Sequence, residues 1–268
     1  MCKLCKLFVC AVLLQALFSG SALGDFKDGL IGYWSFDETS GSVAHSLVAA
    51  SADAQLYNFP DDNSQWVRGQ IGGALYFRGP DFQDYVISPS FPIPTTAVSF
   101  SGWVNADVNT VPWQSILKNW GSSVHGQFHF GLDATSKRLG VYIAEGGDHQ
   151  VGPVEIVIPS FPTGEWVQVG FVIDTTLDGL IAFIKVYYNG QLAGIGAFNG
   201  TLRNPPVMSL GFGVKTDDTG LQADPGNPGY WQGSFDDLGL WNRPLTDAEM
   251  AQIYTLGQNG MSFYGNGN

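Results

Sequence analysis

Apolar and polar residues alternate with a period of two along several short stretches of the chain. Residues 98–104 and 166–173 are the clearest of these, since every second residue in each is apolar or glycine. Successive side chains of a strand point to opposite faces, so this period predicts strands with one face on a hydrophobic core. Clusters of Gly, Pro, Asn and Asp separate such runs from about residue 30 onward, and this spacing favours an all-β sandwich.

One hairpin is predicted at a defined position. An apolar run, residues 181–188, leads into Asn189-Gly190, and a second run follows over residues 191–197. Asn-Gly between two such runs is a strong hairpin signal because both turn positions require positive φ.

One helix is predicted near the C-terminal end. Thr246 and Glu249 have the spacing of a capping box, in which each side chain bonds the other residue's backbone N–H. The helix is expected to continue through residues 250–256, with Gly257 as its C-terminal stop.

The first 24 residues predict a signal peptide. Lys3 and Lys6 accompany an apolar stretch, residues 7–18, which is shorter than the roughly 20 residues that a membrane-spanning helix requires. Cleavage is predicted after Gly24, with Ala22 as the alternative. The expected product is secreted, extracellular or at the cell surface, without membrane insertion, and forms a single domain over residues 25–268 with its core at about 29–258.

The positions of the cysteines and the net charge exclude several kinds of chemistry and one class of partner. All three cysteines lie in the predicted leader, so the mature chain has neither disulfides nor thiol chemistry. The net charge is −12, and loss of Lys3 and Lys6 takes it to −14. A nucleic-acid partner is excluded on this basis, because phosphate binding requires clustered Lys and Arg.

Residues 215–228 are predicted to form a long loop. Long loops in compact domains are often functional.

Several segments, in a fixed order along the chain, carry a resemblance to a known family. They are residues 32–38 (GYWSFDE), 69–77 (GQIGGALYF), 98–104, 164–167 (GEWV) and 233–246 (GSFDDLGLWNRPLT). Together they resemble the laminin G-like, concanavalin A-like lectin/glucanase domains. The resemblance implies an all-β, concanavalin A-like jelly-roll β-sandwich of two antiparallel sheets with one short C-terminal helix.

The resemblance also implies a metal site. The first and last strands of such a fold pair near one edge, which brings Asp37 within reach of Asp236. Calcium takes six to eight oxygen ligands, so a structural Ca²⁺ is expected at Asp37 and Asp236, completed by Glu38 or Asp237 and local carbonyls. The alternative is that these acids cap turns or face solvent. On a regular strand the adjacent Asp236 and Asp237 point to opposite faces.

No catalytic constellation is evident in the sequence. Retaining glycosidases need two carboxylates about 5 Å apart, and no predicted strand carries acids at suitable spacing. The nearest candidates, Glu145 and Asp148, flank two glycines that predict a turn. His129 alternates with Phe128 and Phe130 and is interpreted as a strand residue without a visible catalytic partner.

The aromatic residues favour binding over catalysis. Sugars are held by stacking on aromatic rings while polar groups take the hydroxyls. Four tryptophans of the family segments are expected in the core: Trp34, Trp103, Trp166 and Trp241. Trp113, Trp120 and Trp231 lie near predicted loops and are the candidate ligand-binding residues, the alternative being that they pack beneath those loops.

The sequence therefore predicts a secreted, non-catalytic, lectin-like module for extracellular or cell-surface carbohydrate. Neutral glycans are the preferred ligand class, because a net charge of −14 repels acidic ones. An extracellular protein-interaction or adhesion domain is the alternative, and a polysaccharide-degrading hydrolase or lyase is the third hypothesis.

Overall fold

A computed structural model describes residues 25–107, 113–133, 138–145, 149–158, 161–176, 181–199, 201–205 and 207–265, the side chains of 144–145 and 149–153 excepted. The predicted leader lies outside these residues. Within them the chain forms sixteen β-strands and one α-helix.

The strands and the helix follow one another along the chain with these bounds: β1 Leu30–Trp34, β2 Val43–Ala44, β3 Ala54–Tyr57, β4 Trp66–Arg68, β5 Gly73–Arg78, β6 Tyr85–Ser88, β7 Ala97–Ala106, β8 Gln114–Lys118, β9 His129–Asp133, β10 Arg138–Glu145, β11 His149–Val157, β12 Trp166–Asp174, β13 Ile181–Tyr188, β14 Gln191–Asn199, β15 Leu210–Phe212, β16 Gln232–Trp241 and α1 Asp247–Gln258.

The strands form two antiparallel sheets of eight strands each. The first sheet has the order β14-β13-β12-β7-β16-β5-β4, and β1 also pairs with β16. The second sheet has the order β11-β10-β9-β8-β15-β6-β3-β2. This architecture confirms the predicted jelly-roll sandwich with one short C-terminal helix.

The predicted alternation places one face of each central strand in the core. Val98, Phe100 and Val104 of β7 pack with Phe171 of β12 and with residues of the second sheet in one hydrophobic cluster. Three of the four tryptophans expected in the core are buried, but only Trp34 belongs to this cluster. Trp241 packs in a second cluster, and Trp103 packs beneath α1 against Tyr254. Trp166 is the exception, because it begins β12 and is partly exposed.

The hairpin between β13 and β14 is confirmed at the predicted turn. Asn189 and Gly190 have φ values of 48° and 73°, as the turn requires. The Asn189 side chain also accepts a hydrogen bond from the Gln168 backbone N–H at 3.0 Å, which ties the turn to β12.

Helix α1 begins as predicted but ends later than predicted. The Thr246 side chain accepts from the Glu249 N–H, and the Glu249 side chain accepts from the Thr246 N–H, so the capping box is confirmed. The prediction that Gly257 stops the helix is wrong, since α1 continues to Gln258 and Asn259 is its C-cap. Glycine is needed at 257 for packing instead, because a Cβ there lies 2.4 Å from Trp103 Nε1.

Thr246→Ala is expected to destabilise the protein by about 1 kcal/mol, because the first turn of α1 loses its cap. For a domain of this size that corresponds to a fall in melting temperature of about 2–4 °C, measured by thermal denaturation. Thr255→Ala is the matched control, since its exposed hydroxyl bonds only the Ala251 carbonyl. A loss no larger for Thr246→Ala than for this control contradicts the capping role.

No helix in the described part of the chain is long and apolar enough to cross a membrane.

Candidate functional site

Two strands meet end to end along β16 and create a gap between them. The pairing of β5 with β16 ends where Leu75 lies opposite Phe235. The pairing of β1 with the same edge of β16 begins where Trp34 lies opposite Leu238. The turn of residues 69–73, which precedes β5, closes this gap. The first and last strands therefore pair as the sequence predicted, and Asp236 and Asp237 occupy the gap between their neighbours.

A β-bulge brings these two acids together. The register of β16 against β7 shifts between Asp236 and Gly239, and Asp237 has a φ of 49° in the left-handed region. The two carboxyl groups are consequently close enough for the charge of Asp237 to act on Asp236. The expectation that adjacent aspartates point to opposite faces is wrong here, because it holds only for a regular strand.

Asp236 and Asp237 are buried without a cationic partner among the described residues. Asp236 Oδ2 accepts from the Ile71 N–H at 2.8 Å, and Asp237 Oδ1 accepts from the Tyr33 hydroxyl. Their other oxygens, Asp236 Oδ1 and Asp237 Oδ2, are buried with no hydrogen-bond partner. Burial raises the pKa of both acids, and the charge of Asp237 raises the pKa of Asp236 further. Burial and the nearby Asp237 likewise raise the pKa of Tyr33.

Of the other two predicted metal ligands, Asp37 lies near the same gap and its charge acts on the buried pair, whereas Glu38 contacts the segment at His45. Asp37 Oδ1 accepts from the Gly73 N–H at 2.6 Å. Glu38 Oε1 accepts from the His45 N–H at 2.7 Å, while its Oε2 is buried without a partner. Burial raises the pKa of Glu38. In the residues that the structure describes, no three carboxylate, imidazole or thiol groups converge into a formed metal site.

A second candidate site lies on the outer face of the second sheet, the face turned away from the core. Phe128, Phe130 and Leu132 point into the core, so His129 of β9 points outward by alternation. Its neighbour in β10 is Tyr142, which pairs directly with His129 across the two strands.

Trp113, His129 and Tyr142 form a triangle of rings on this face, here called the aromatic triad. The ring centroids are 5.4 Å apart for Trp113 and His129, 5.2 Å for Trp113 and Tyr142, and 5.4 Å for His129 and Tyr142. All three residues are partly exposed. Trp113 has a φ of 53°, an uncommon conformation for a bulky residue that is found at binding and catalytic sites.

Hydrogen bonds fix the orientation of the triad. The Trp113 indole N–H donates to His129 Nε2 at 2.7 Å. Burial lowers the pKa of His129 well below its usual value, so the ring is neutral and carries its proton on Nδ1. Nδ1 makes no hydrogen bond among the described residues. The Tyr142 hydroxyl donates to Glu155 at 2.7 Å. The triad therefore presents ring faces and one free N–H donor.

The three predicted ligand-binding tryptophans are separated by the fold. Trp113 belongs to the triad. Trp120 contacts the same His129, with centroids 5.5 Å apart, but it is 3% exposed and His125 stacks on it at 4.5 Å. Trp231 is completely buried and packs on Phe235 in the core. A ring with no exposed surface offers no face to a sugar, so Trp231 does not contribute to this site.

The sequence pattern gave no sign of the roles of Tyr142 and His125, and it predicted His129 as an ordinary strand residue. The alternation of 128–132 does place His129 on the outer face. Its contacts with Trp113 and Tyr142 come from neighbouring strands, and their register cannot be read from one sequence.

Comparison with known proteins agrees with this architecture. The family profile Laminin_G_3, described as the concanavalin A-like lectin/glucanases superfamily, matches residues 80–251. No curated protein sequence matches the chain.

Solved structures resemble the fold at low sequence identity. One is domain 4 of AbnA, an extracellular GH43 arabinanase of Geobacillus stearothermophilus, in complex with arabinotriose: TM-score 0.59, 18% identity, 84% of this chain and 98% of that one. Another is botulinum neurotoxin type C, from work on its interaction with two gangliosides: TM-score 0.59, 13% identity, 86% of this chain and 52% of that one. A third is the botulinum neurotoxin DC binding domain in complex with SialylT: TM-score 0.57, 13% identity, 86% and 52%.

The chain spans about half the length of these neurotoxin structures. Identities this low establish the fold alone. The family profile covers well over half of the sequence, and the chain therefore belongs to the concanavalin A-like lectin/glucanases superfamily.

Proposed function

We propose that this protein is a secreted, non-catalytic, lectin-like module that binds extracellular or cell-surface carbohydrate through the outer face of its second sheet. The observation that carries the proposal is the aromatic triad of Trp113, His129 and Tyr142. Ring faces with a few fixed polar groups are what sugar recognition requires. Secretion follows from the predicted leader, and the N-terminal residue of the exported protein tests it.

The similar structures support this proposal without establishing it. The arabinanase domain is in complex with arabinotriose, and one neurotoxin binding domain is in complex with SialylT. These are statements about those proteins. They indicate that domains with this sandwich fold bind sugars in other proteins. In this chain the aromatic triad is the proposed position of the sugar site.

A protein partner is the second candidate, on the opposite side of the molecule. Strand β14 is an edge strand of the first sheet and exposes Leu192 and Ile195, at 41% and 60%. Ile195 borders a groove of about 280 Å³ lined also by Phe183 and Pro244. An unpaired edge with apolar side chains is open to strand addition by another chain.

Catalysis by the buried acid pair is not supported. Asp236 and Asp237 are 0% and 2% exposed, so the glycosidic bond of a polysaccharide does not reach them in this conformation.

We further propose that the Asp236–Asp237 pair holds a structural Ca²⁺, with Asp37, Glu38 and backbone carbonyls as additional oxygens. Two desolvated carboxylates without a basic partner are costly unless a proton or a cation neutralises them. The orphaned oxygens of Asp236, Asp237 and Glu38 fit the oxygen-only chemistry of calcium. Bound calcium would stabilise the ionised form of the pair.

A glycan array probed with the purified protein tests the proposed function. Binding is expected to at least one glycan, and its affinity is expected to change less than about threefold between 50 and 500 mM NaCl. Ring stacking does not depend on exposed charges, whereas contacts between exposed charges weaken beyond a Debye length of about 8 Å at physiological salt. Absence of glycan binding, together with capture of a protein through β14, contradicts the sugar assignment.

A further inference from the structure

A buried lysine lies beside the aromatic triad. Lys118 ends β8 and pairs directly with His129 of β9, so both side chains lie on the outer face of the second sheet. Lys118 is only 1% exposed, and its Nζ lies 6.0 Å from the centroid of the Trp113 ring. The ammonium group therefore lies just beneath the face that presents the triad, beside the Trp113 ring.

Lys118 lacks a partner of its own. Its ammonium makes no hydrogen bond or ion pair among the described residues. The negative charge of Asp224 acts on Lys118, but Lys215 pairs with that carboxylate at 2.6 Å. Asp224 also accepts from the backbone N–H groups of Gly226 and Asn227, at 2.8 and 3.2 Å. Burial and the charge of Lys215 lower the pKa of Lys118, as expected for an uncompensated cation.

The Glu155 carboxylate, which also lies near the triad, is occupied as well. Glu155 binds Arg138 at 2.9 Å and accepts from the Tyr142 hydroxyl at 2.7 Å. Among the described residues, neither the Lys118 ammonium nor the Nδ1–H of His129 has a hydrogen-bond or ion-pair partner. Two donors, one of them a cation, complement an acceptor group that carries a negative charge.

We propose that Lys118 and the Nδ1–H of His129 form a subsite for a singly charged acidic group of a sugar, a carboxylate or a sulfate ester, beside the Trp113 ring. One unpaired cation matches one negative charge. This inference rests on the proposed carbohydrate-binding function and changes the ligand class from neutral to acidic glycans. The protein's net charge opposes it only weakly, because charges farther than about 8 Å away are screened while a buried pair is not.

An array of matched glycans tests the subsite. It carries uronic-acid oligosaccharides with their methyl esters, sialosides with their asialo forms, and sulfated glycans with their desulfated forms. The wild-type protein is expected to bind an acidic member at least about tenfold more tightly than its neutral counterpart, as for a hydrogen bond to a charged group. The pair that shows this preference identifies carboxylate or sulfate.

Lys118→Met is expected to abolish the preference while keeping the affinity for the neutral counterpart. Lys185→Met is the matched control, because Lys185 pairs with Asp247 on the other side of the molecule. The melting temperature of Lys118→Met is expected to equal or exceed that of the wild type, since a desolvated charge is removed. A structural role for Lys118 predicts a lower one.

Three outcomes overturn the inference. Binding of neutral glycans through Trp113 with no preference for acidic ones rejects the subsite and leaves the carbohydrate function standing. A preference that persists in Lys118→Met also rejects the subsite. Absence of binding to every glycan rejects the proposed function and the subsite with it.

Discussion

In calcium-free buffer the protein is expected to gain stability from its buried acid pair at low pH and to lose that contribution as the pH rises. Burial raises the pKa of Asp237 to about 6 and raises the pKa of Asp236 as well. A group with a raised folded-state pKa stabilises the protein fully below its unfolded value, 3.8 here, and loses this stabilisation as the pH passes its folded value. One pKa unit corresponds to about 1.4 kcal/mol, so the loss by pH 7 is on the order of 3 kcal/mol.

Calcium is expected to reverse this loss at neutral pH. A ligand at a hundred times its dissociation constant stabilises the native state by about 2.7 kcal/mol. That amounts to a rise in melting temperature of about 5–10 °C for a chain of this size. The effect is expected to fade toward pH 4, where protons occupy the carboxylates instead.

The measurement is a series of melting curves from pH 4 to 8, with calcium and with chelator. Other carboxyl groups, such as Asp224 and Glu249, have lowered pKa values and favour the opposite pH trend. The pair is therefore isolated by comparison with Asp236→Asn/Asp237→Asn. Asp107→Asn is the matched control, because its exposed carboxylate also accepts from a tyrosine hydroxyl, that of Tyr76. Equal calcium responses in the wild type and the double variant contradict the metal proposal.

Trp113→Ala is expected to weaken glycan binding by about thirtyfold or more. Truncation of a tryptophan at the centre of a binding surface reduces the binding free energy by about 2 kcal/mol or more. Each 1.4 kcal/mol corresponds to about a factor of ten in affinity. His129→Phe is expected to weaken binding less, because it keeps a ring while removing the Nδ1–H donor and the acceptor for the Trp113 indole. Titration calorimetry with the best array glycan measures both changes.

Phe82→Ala serves as the control for this series. Phe82 is a 53% exposed ring that packs on the Arg78 guanidinium, remote in sequence from the triad. Its removal is expected to leave the affinity unchanged, and melting curves show whether each variant is folded. If Trp113→Ala retains wild-type affinity while folded, the glycan binds elsewhere.

The sequence predicted those parts of the fold that depend on residues close together in the chain. The alternation in β7 and β12, the Asn189-Gly190 turn and the Thr246–Glu249 capping box all depend on residues a few positions apart. They therefore appear in the structure where the sequence placed them.

The features that the sequence did not predict depend on contacts between residues of different strands or of a strand and the helix. The β-bulge at Asp237 follows from the way β1 and β5 share one edge of β16, and no local residue signals it. Gly257 lies inside α1 because it faces Trp103, a residue of β7. Lys118 and His129 are eleven positions apart, and only the β8–β9 pairing makes them neighbours on one face.

Sugar is expected to bind on the outer face of the second sheet. The most direct test is a crystal structure of the protein soaked with the glycan that binds most tightly on the array. A sugar ring is expected against Trp113, with a polar group within hydrogen-bond distance of His129 Nδ1. A glycan bound instead at the polar edge groove of about 390 Å³ that Asn58, Phe59 and Gln65 line, or on the first sheet, contradicts it.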